Sequence, residues 1–153
     1  MIAFCCRRIV LLSQSLKQSQ MYTFKKEERL CSKKLIDELF HSGSSFLLYP
    51  FRIVWLRHPL PANVPAQVVI NVPKRRFKKA VHRNLIKRRI REIYRLSKGS
   101  ELYNFLEDHS GQLLLGIHYV GKDIVDYHLM EKKFKLVLLQ LKEAYLKSHI
   151  EIG

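Results

Sequence analysis

The sequence predicts an α+β domain, a small mixed β-sheet packed with helices in the order α-β-β-(β)-α-β-α. Three observations predict it. Residues 78–97 repeat apolar side chains at helical spacing, and most of the rest of that stretch is cationic. Residues 112–120, QLLLGIHYV, are a nearly continuous apolar run of strand length. Proline and glycine fall between these stretches and their neighbours, where turns are needed. At 153 residues and 47% apolar composition the chain builds one core, not two.

The elements follow in order. Residues 1–20, MIAFCCRRIVLLSQSLKQSQ, read as an ill-ordered extension or an over-long gene start. The apolar run Ile9–Leu12 is too short to span a membrane, and no clear cleavage site follows it. The domain itself is expected over residues 21–148, with 149–153 as a tail. Ser32 N-caps a helix whose stripe is Leu35, Ile36, Leu39 and Phe40, and Gly43 stops it. Residues 46–58, FLLYPFRIVWLRH, read as strand, with Pro50 marking an edge, a bulge or a strand start. Beyond it Phe51, Ile53 and Trp55 alternate with Arg52, Val54 and Leu56, which puts Trp55 in the core. PLPANVP is loop, AQVVINV (66–72) is the next strand, and Pro73 ends it.

In the helix at 78–97, steps of about 100° gather Leu85, Ile86, Ile90, Ile93 and Leu96 on one arc. Arg83, Asn84, Lys87, Arg88, Arg91 and Arg95 fill the opposite arc, with His82 and Arg89 at the apolar margin. SELYNFLEDHSG is a short helix or turn, and the run 112–120 is a central strand buried on both faces. A last helix starts at Asp123 or Asp126 and runs to about Lys147, with Leu129, Phe134, Val137, Leu138, Leu141 and Tyr145 as its stripe.

Charge is the most informative feature. The net charge is +15, and between Lys74 and Arg95 eleven Lys or Arg stand against the single Glu92. Residues 96–153 hold seven basic side chains and eight acidic ones. A solvated helix would interleave glutamates with its lysines to gain i,i+4 pairs. An excess confined to one segment is the footprint of a polyanion site. The three cysteines (Cys5, Cys6, Cys31) have neither zinc-like nor redox spacing, and the seven histidines make no HExxH pattern. The expectation is therefore reduced thiols, a cytoplasmic location, no membrane segment and no protein-held metal.

A DNA recognition helix needs a short partner helix just upstream, and Pro73 with a strand stands there instead. DNA is thus not the expected partner. Structured RNA fits better: a rigid arginine face meets phosphates, and Asn84 can donate and accept at one point.

Residues 72–92, VPKRRFKKAVHRNLIKRRIRE, closely resemble the signature of the protein subunit of bacterial ribonuclease P. In that family a strand ending in paired basics leads into an Arg-Asn-x-x-Lys-Arg-x-x-Arg-Glu helix. Lys74 and Arg75 match the basics; Arg83, Asn84, Lys87, Arg88, Arg91 and Glu92 match the helix. The resemblance runs from about Phe24 to Lys147, with one departure: the family's usual arginine is Leu85 here. By the helical arcs Leu85 faces the core, so a peripheral contact is lost and the fold kept.

The resemblance implies a ribosomal-protein-S5-domain-2-like fold, with a left-handed βαβ crossover carrying the basic helix between parallel strands. It implies two partners, ribonuclease P RNA and precursor tRNA, and removal of the 5′ leader by the RNA and its magnesium ions. The protein would supply no catalytic side chain and bind no cofactor. The RNA-binding residues would be Lys74, Arg75, Arg83, Asn84, Lys87, Arg88, Arg91 and Arg95. A leader-binding cleft between the first helix and the sheet would hold Ile36, Phe40, Arg52 and Val54, although Ile36 and Phe40 are equally compatible with core packing. The alternative is a ribosomal or ribosome-assembly RNA-binding protein with no enzymatic association.

Overall fold

The computed structural model describes residues 23–61 and 64–150. The extension at 1–20 and the last three residues of the tail lie outside them. After a 3-10 turn at Lys26–Glu28 the elements are α1 (Lys33–Ser42), β1 (Ser44–Leu48), β2 (Phe51–Arg57), β3 (Ala66–Asn71) and α2 (Ala80–Ser97). A π-helical turn (Lys98–Tyr103) leads into α3 (Asn104–Asp108), and β4 (Leu113–Tyr119) and α4 (Tyr127–Ile150) complete the chain.

The four strands lie in the order β1-β2-β4-β3. β4 pairs antiparallel with β2 and parallel with β3, so β3, α2 and β4 form a crossover that carries the basic helix. With a hydrogen-bonded neighbour on each side and helices over its faces, β4 is central, and its apolar run follows from that position. Alternate residues face opposite sides of the sheet, so the one domain has a larger and a smaller core where composition suggested a single one. Leu113, Leu115, Ile117 and Tyr119 join Phe51, Ile53 and Trp55 under α2 and α4 in the larger core. Leu114 joins Val54, Leu39 and Leu30 under α1 in the smaller one.

The structure departs from the sequence reading at several points. Residues 46–58 are two strands, paired from Ser44↔Trp55 to Leu48↔Phe51. Tyr49 and Pro50 make the turn between them, joined by a cis peptide bond. Ser32 stands at the N-cap of α1, but its hydroxyl makes no capping hydrogen bond. At the other end Gly43 donates its N–H to the Leu39 carbonyl at 3.0 Å, and a Cβ there would sit 2.2 Å from that oxygen. Leu129 is exposed, and Met130 takes its place in the core. Asp126, the later of the two candidate starts, caps α4 by accepting the His128 N–H on its carboxylate at 3.1 Å. The helix then runs on to Ile150.

Lys98, which follows the basic helix, is fully buried. Its ammonium lies 2.5 and 2.6 Å from the two carboxylate oxygens of Glu28 and also donates to the Thr23 carbonyl. Burial pulls it below the ordinary lysine value, and the Glu28 contact offsets part of that shift. This pair ties the N-terminal segment to the far end of α2. Leu30 extends the tie by donating to the Val68 carbonyl of β3 at 3.0 Å.

Candidate nucleic-acid interface

Pro73 closes β3, and its carbonyl accepts from the N–H groups of Arg76 and Phe77 at 3.1 and 3.3 Å. Phe77 is buried beside Tyr119, their ring centroids 5.8 Å apart, so the loop is pinned to the core. Pinning it leaves Lys74 and Arg75 exposed at the entrance to α2. Arg83 turns back on this loop and donates to the carbonyls of Phe77 and Lys78, both at 2.7 Å. It is a brace for the loop as well as a cation.

Along α2 the side chains of Asn84, Arg88 and Arg91 are exposed and Lys87 is half-buried. Arg95 pairs with Glu92 at 2.6 Å, so the one acid of this segment neutralises a charge at the helix's far end. Arg89, at the apolar margin, donates to the Val125 carbonyl at 2.7 Å and joins the helix to the approach of α4.

The arc reading needs correction at two leucines. Ile86, Ile90, Ile93 and Tyr94 are buried, but Leu85 is 38% exposed and Leu96 is exposed too. The helix buries a narrow stripe, because its main contacts are with β3, α4 and the π-helical turn that follows it. Leu85 therefore borders the cationic face. An arginine there would reach solvent and any bound phosphate.

On the other side of the sheet a cleft of about 330 Å³ opens beside α1. Phe40, Arg52 and Val54 line it; Ile36 does not, and packs half-buried against the smaller core. Phe40 is 43% exposed, with its ring against His118 at a centroid distance of 5.0 Å, and it is not a core residue. Val54 is buried and forms part of the floor.

Sheet register brings in residues that the sequence reading passed over. Arg52 lies opposite His118, and His118 lies opposite Asn71, in one row across three strands. The Asn71 amide and the His118 Nδ1 are 3.1 Å apart. Burial, and after it the charge of Arg52, hold the His118 imidazole below its ordinary value, which favours its neutral form. Arg76 also lines the cleft and donates to the Val120 carbonyl. Arg76 had a signal in sequence, as the third basic residue of Lys74-Arg75-Arg76. The cleft thus offers an aromatic ring and a neutral histidine between two guanidinium groups. That suits an unstacked nucleotide and its phosphates. Among the described residues no group of three His, Cys, Asp or Glu is placed to hold a metal ion, and no helix is long and apolar enough to cross a membrane.

Comparison with known proteins gives the family. The family model described as Ribonuclease P matches residues 24–106. The ribonuclease P protein component of Porphyromonas gingivalis is 29% identical over 116 residues, which cover 76% of this chain and 84% of that one. The Petrotoga mobilis protein component is 43% identical over 76 residues, 50% of this chain and 61% of its own. Among solved structures, the Staphylococcus aureus RNase P protein aligns with a TM-score of 0.60 at 18% identity, covering 75% of this chain and 95% of that one. The Thermotoga maritima RNase P protein aligns at 0.58 and 22% identity, covering 72% and 94%. These two likenesses are of fold. With the family model matched over more than half its length, the chain belongs to the ribonuclease P protein family.

Proposed function

We propose that the chain works as the protein subunit of ribonuclease P, binding the catalytic RNA along α2 and the 5′ leader of precursor tRNA in the cleft beside α1. The observation that carries this reading is the segment from Lys74 to Arg95, eleven cations with one acid, held on a pinned loop and a rigid helix. Lys74, Arg75, Lys87, Arg88 and Arg91 neutralise phosphates of the folded RNA, and Asn84 hydrogen-bonds beside them. Phe40 stacks on a leader base while Arg52 and Arg76 meet its backbone.

The chain's part in the reaction is to bind, orient and neutralise. Hydrolysis of the leader phosphodiester belongs to the RNA and the magnesium ions it binds. A protein that offsets phosphate repulsion lets that RNA fold and hold substrate at lower magnesium. The reading places the complex in the cytoplasm.

Reconstitution tests it: the purified chain, the cognate ribonuclease P RNA and a precursor tRNA are combined over a magnesium series. The chain alone is expected to cleave nothing, and its addition to shift RNA cleavage to lower magnesium. Cleavage by the protein after nuclease treatment would sink the assignment of chemistry to the RNA. A chain that binds the RNA and leaves the magnesium requirement unchanged would point to a structural RNA-binding protein.

A further inference from the structure

α4 carries two apolar seams, and the other described residues cover one. Met130, Phe134, Val137, Leu138, Leu141 and Tyr145 are buried in the larger core. On the other side Leu129, Leu136, Leu139 and Leu146 are each 41% to 50% exposed. With Lys132 and Glu143 they recur at alternating spacings of three and four residues, the a and d positions of an unbroken heptad pattern. A helix with apolar residues on opposite sides calls for a second surface to pack against.

We propose that this second surface is the same seam of another copy of the chain, with the two α4 helices antiparallel about a two-fold axis. The seam reads Leu, Lys, Leu, Leu, Glu, Leu, so its apolar positions are the same from either end and its two charges exchange. A two-fold axis at the level between Val137 and Leu138 sets Leu129 against Leu146 of the second copy and Leu136 against its Leu139. The same axis sets Lys132 against Glu143, twice. Each a position then meets a d position, as antiparallel knobs-into-holes packing requires. A parallel pair would instead stack Lys132 on Lys132 and Glu143 on Glu143, and like charges would oppose it.

The two seam charges are available. Among the described residues the other ion pairs of α4 are Lys135 with Glu131 at 3.1 Å and Lys142 with Glu101 at 2.8 Å, and neither involves Lys132 or Glu143. At the margins Lys133 would face Gln140, and Lys135 would face Lys142, two cations that already meet Glu131 and Glu101 of their own copy. Self-complementarity is what an isologous contact needs, and an unrelated partner helix would have no use for it. Four half-exposed leucines per copy make an interface at the small end of the range, so the dimer dissociates on dilution.

Sedimentation equilibrium of the full chain without RNA, from low to several hundred micromolar, tests this. A monomer–dimer equilibrium is expected, weakened about a hundredfold or more by Leu136→Glu with Leu139→Glu. Lys132→Glu and Glu143→Lys should each weaken it several-fold, and the two together should restore it. Because all these positions face solvent in the single chain, melting temperatures should hold. The proposal fails if the chain is monomeric throughout, if the double glutamate variant still dimerises, or if the double charge reversal does no better than the single ones.

Discussion

α2 and α4 lie against the same face of the sheet and share one core, yet their outer faces have opposite character. The outside of α2 is cationic and lacks acids apart from Glu92, which is paired with Arg95. The outside of α4 mixes charges of both signs with half-exposed leucines. The inner stripes differ little, because any helix laid on this sheet must bury aliphatic and aromatic side chains at the same spacing. The difference teaches that inner faces report the fold and outer faces report partners.

That comparison sets an order of expected effects. The largest belong to the inner faces: Ile90→Ala in α2 and Leu138→Ala in α4 should each cost about 2–5 kcal/mol in urea unfolding. A much smaller loss at either position would mean that the two helices do not share a core. The next concerns α1, whose Phe40 is half-exposed on the other side of the sheet. Phe40→Ala should lower affinity for precursor tRNA with a long leader by about 1–3 kcal/mol and leave mature tRNA binding unchanged. A large fall in melting temperature with no dependence on leader length would make Phe40 a core residue.

Smaller changes separate the outer faces. Arg88→Ala with Arg91→Ala should flatten the salt dependence of RNA binding by about two phosphate contacts. Lys133→Ala with Lys147→Ala on α4 should change it far less, and equal losses would mean that the cationic face of α2 is no special address. The smallest effect is a gain. Leu85→Arg should steepen the salt dependence by about one contact while stability stays within about 0.5 kcal/mol. If it unfolds the protein instead, Leu85 is core after all.

Features that depend on residues near in sequence were legible before any coordinates. The basic helix showed itself because cations, missing acids and helical period coincide within twenty residues. β4 showed itself because a strand covered on both faces keeps few polar positions, His118 at the cleft being the exception. The features that were missed depend on who sits opposite whom. Leu85 and Leu96 fell on an apolar arc, but a helix buries only the part its neighbours touch, and single exposed leucines are ordinary. Arg83 looks like any cation of the arc until the turn at Pro73 brings two carbonyls within its reach. The row of Arg52, His118 and Asn71 exists only through the register of three strands. Nothing in the sequence marks Lys98 as buried, because its partner Glu28 is 70 residues away.

The position of β4 has a consequence for how the chain is made. β1 and β2 can close as a hairpin as soon as both have left the ribosome. β3 cannot join them, since its only ladder in the sheet is with β4. The chain must therefore lay down all of α2 before the strand that locks the sheet together is synthesised. A parallel pair built across so long an excursion closes late. Throughout that interval eleven cations between Lys74 and Arg95 emerge without a finished core behind them, a few nanometres from ribosomal RNA. A nascent chain of this topology would thus expose its cationic segment to ribosomal RNA before β4 fixes the helix.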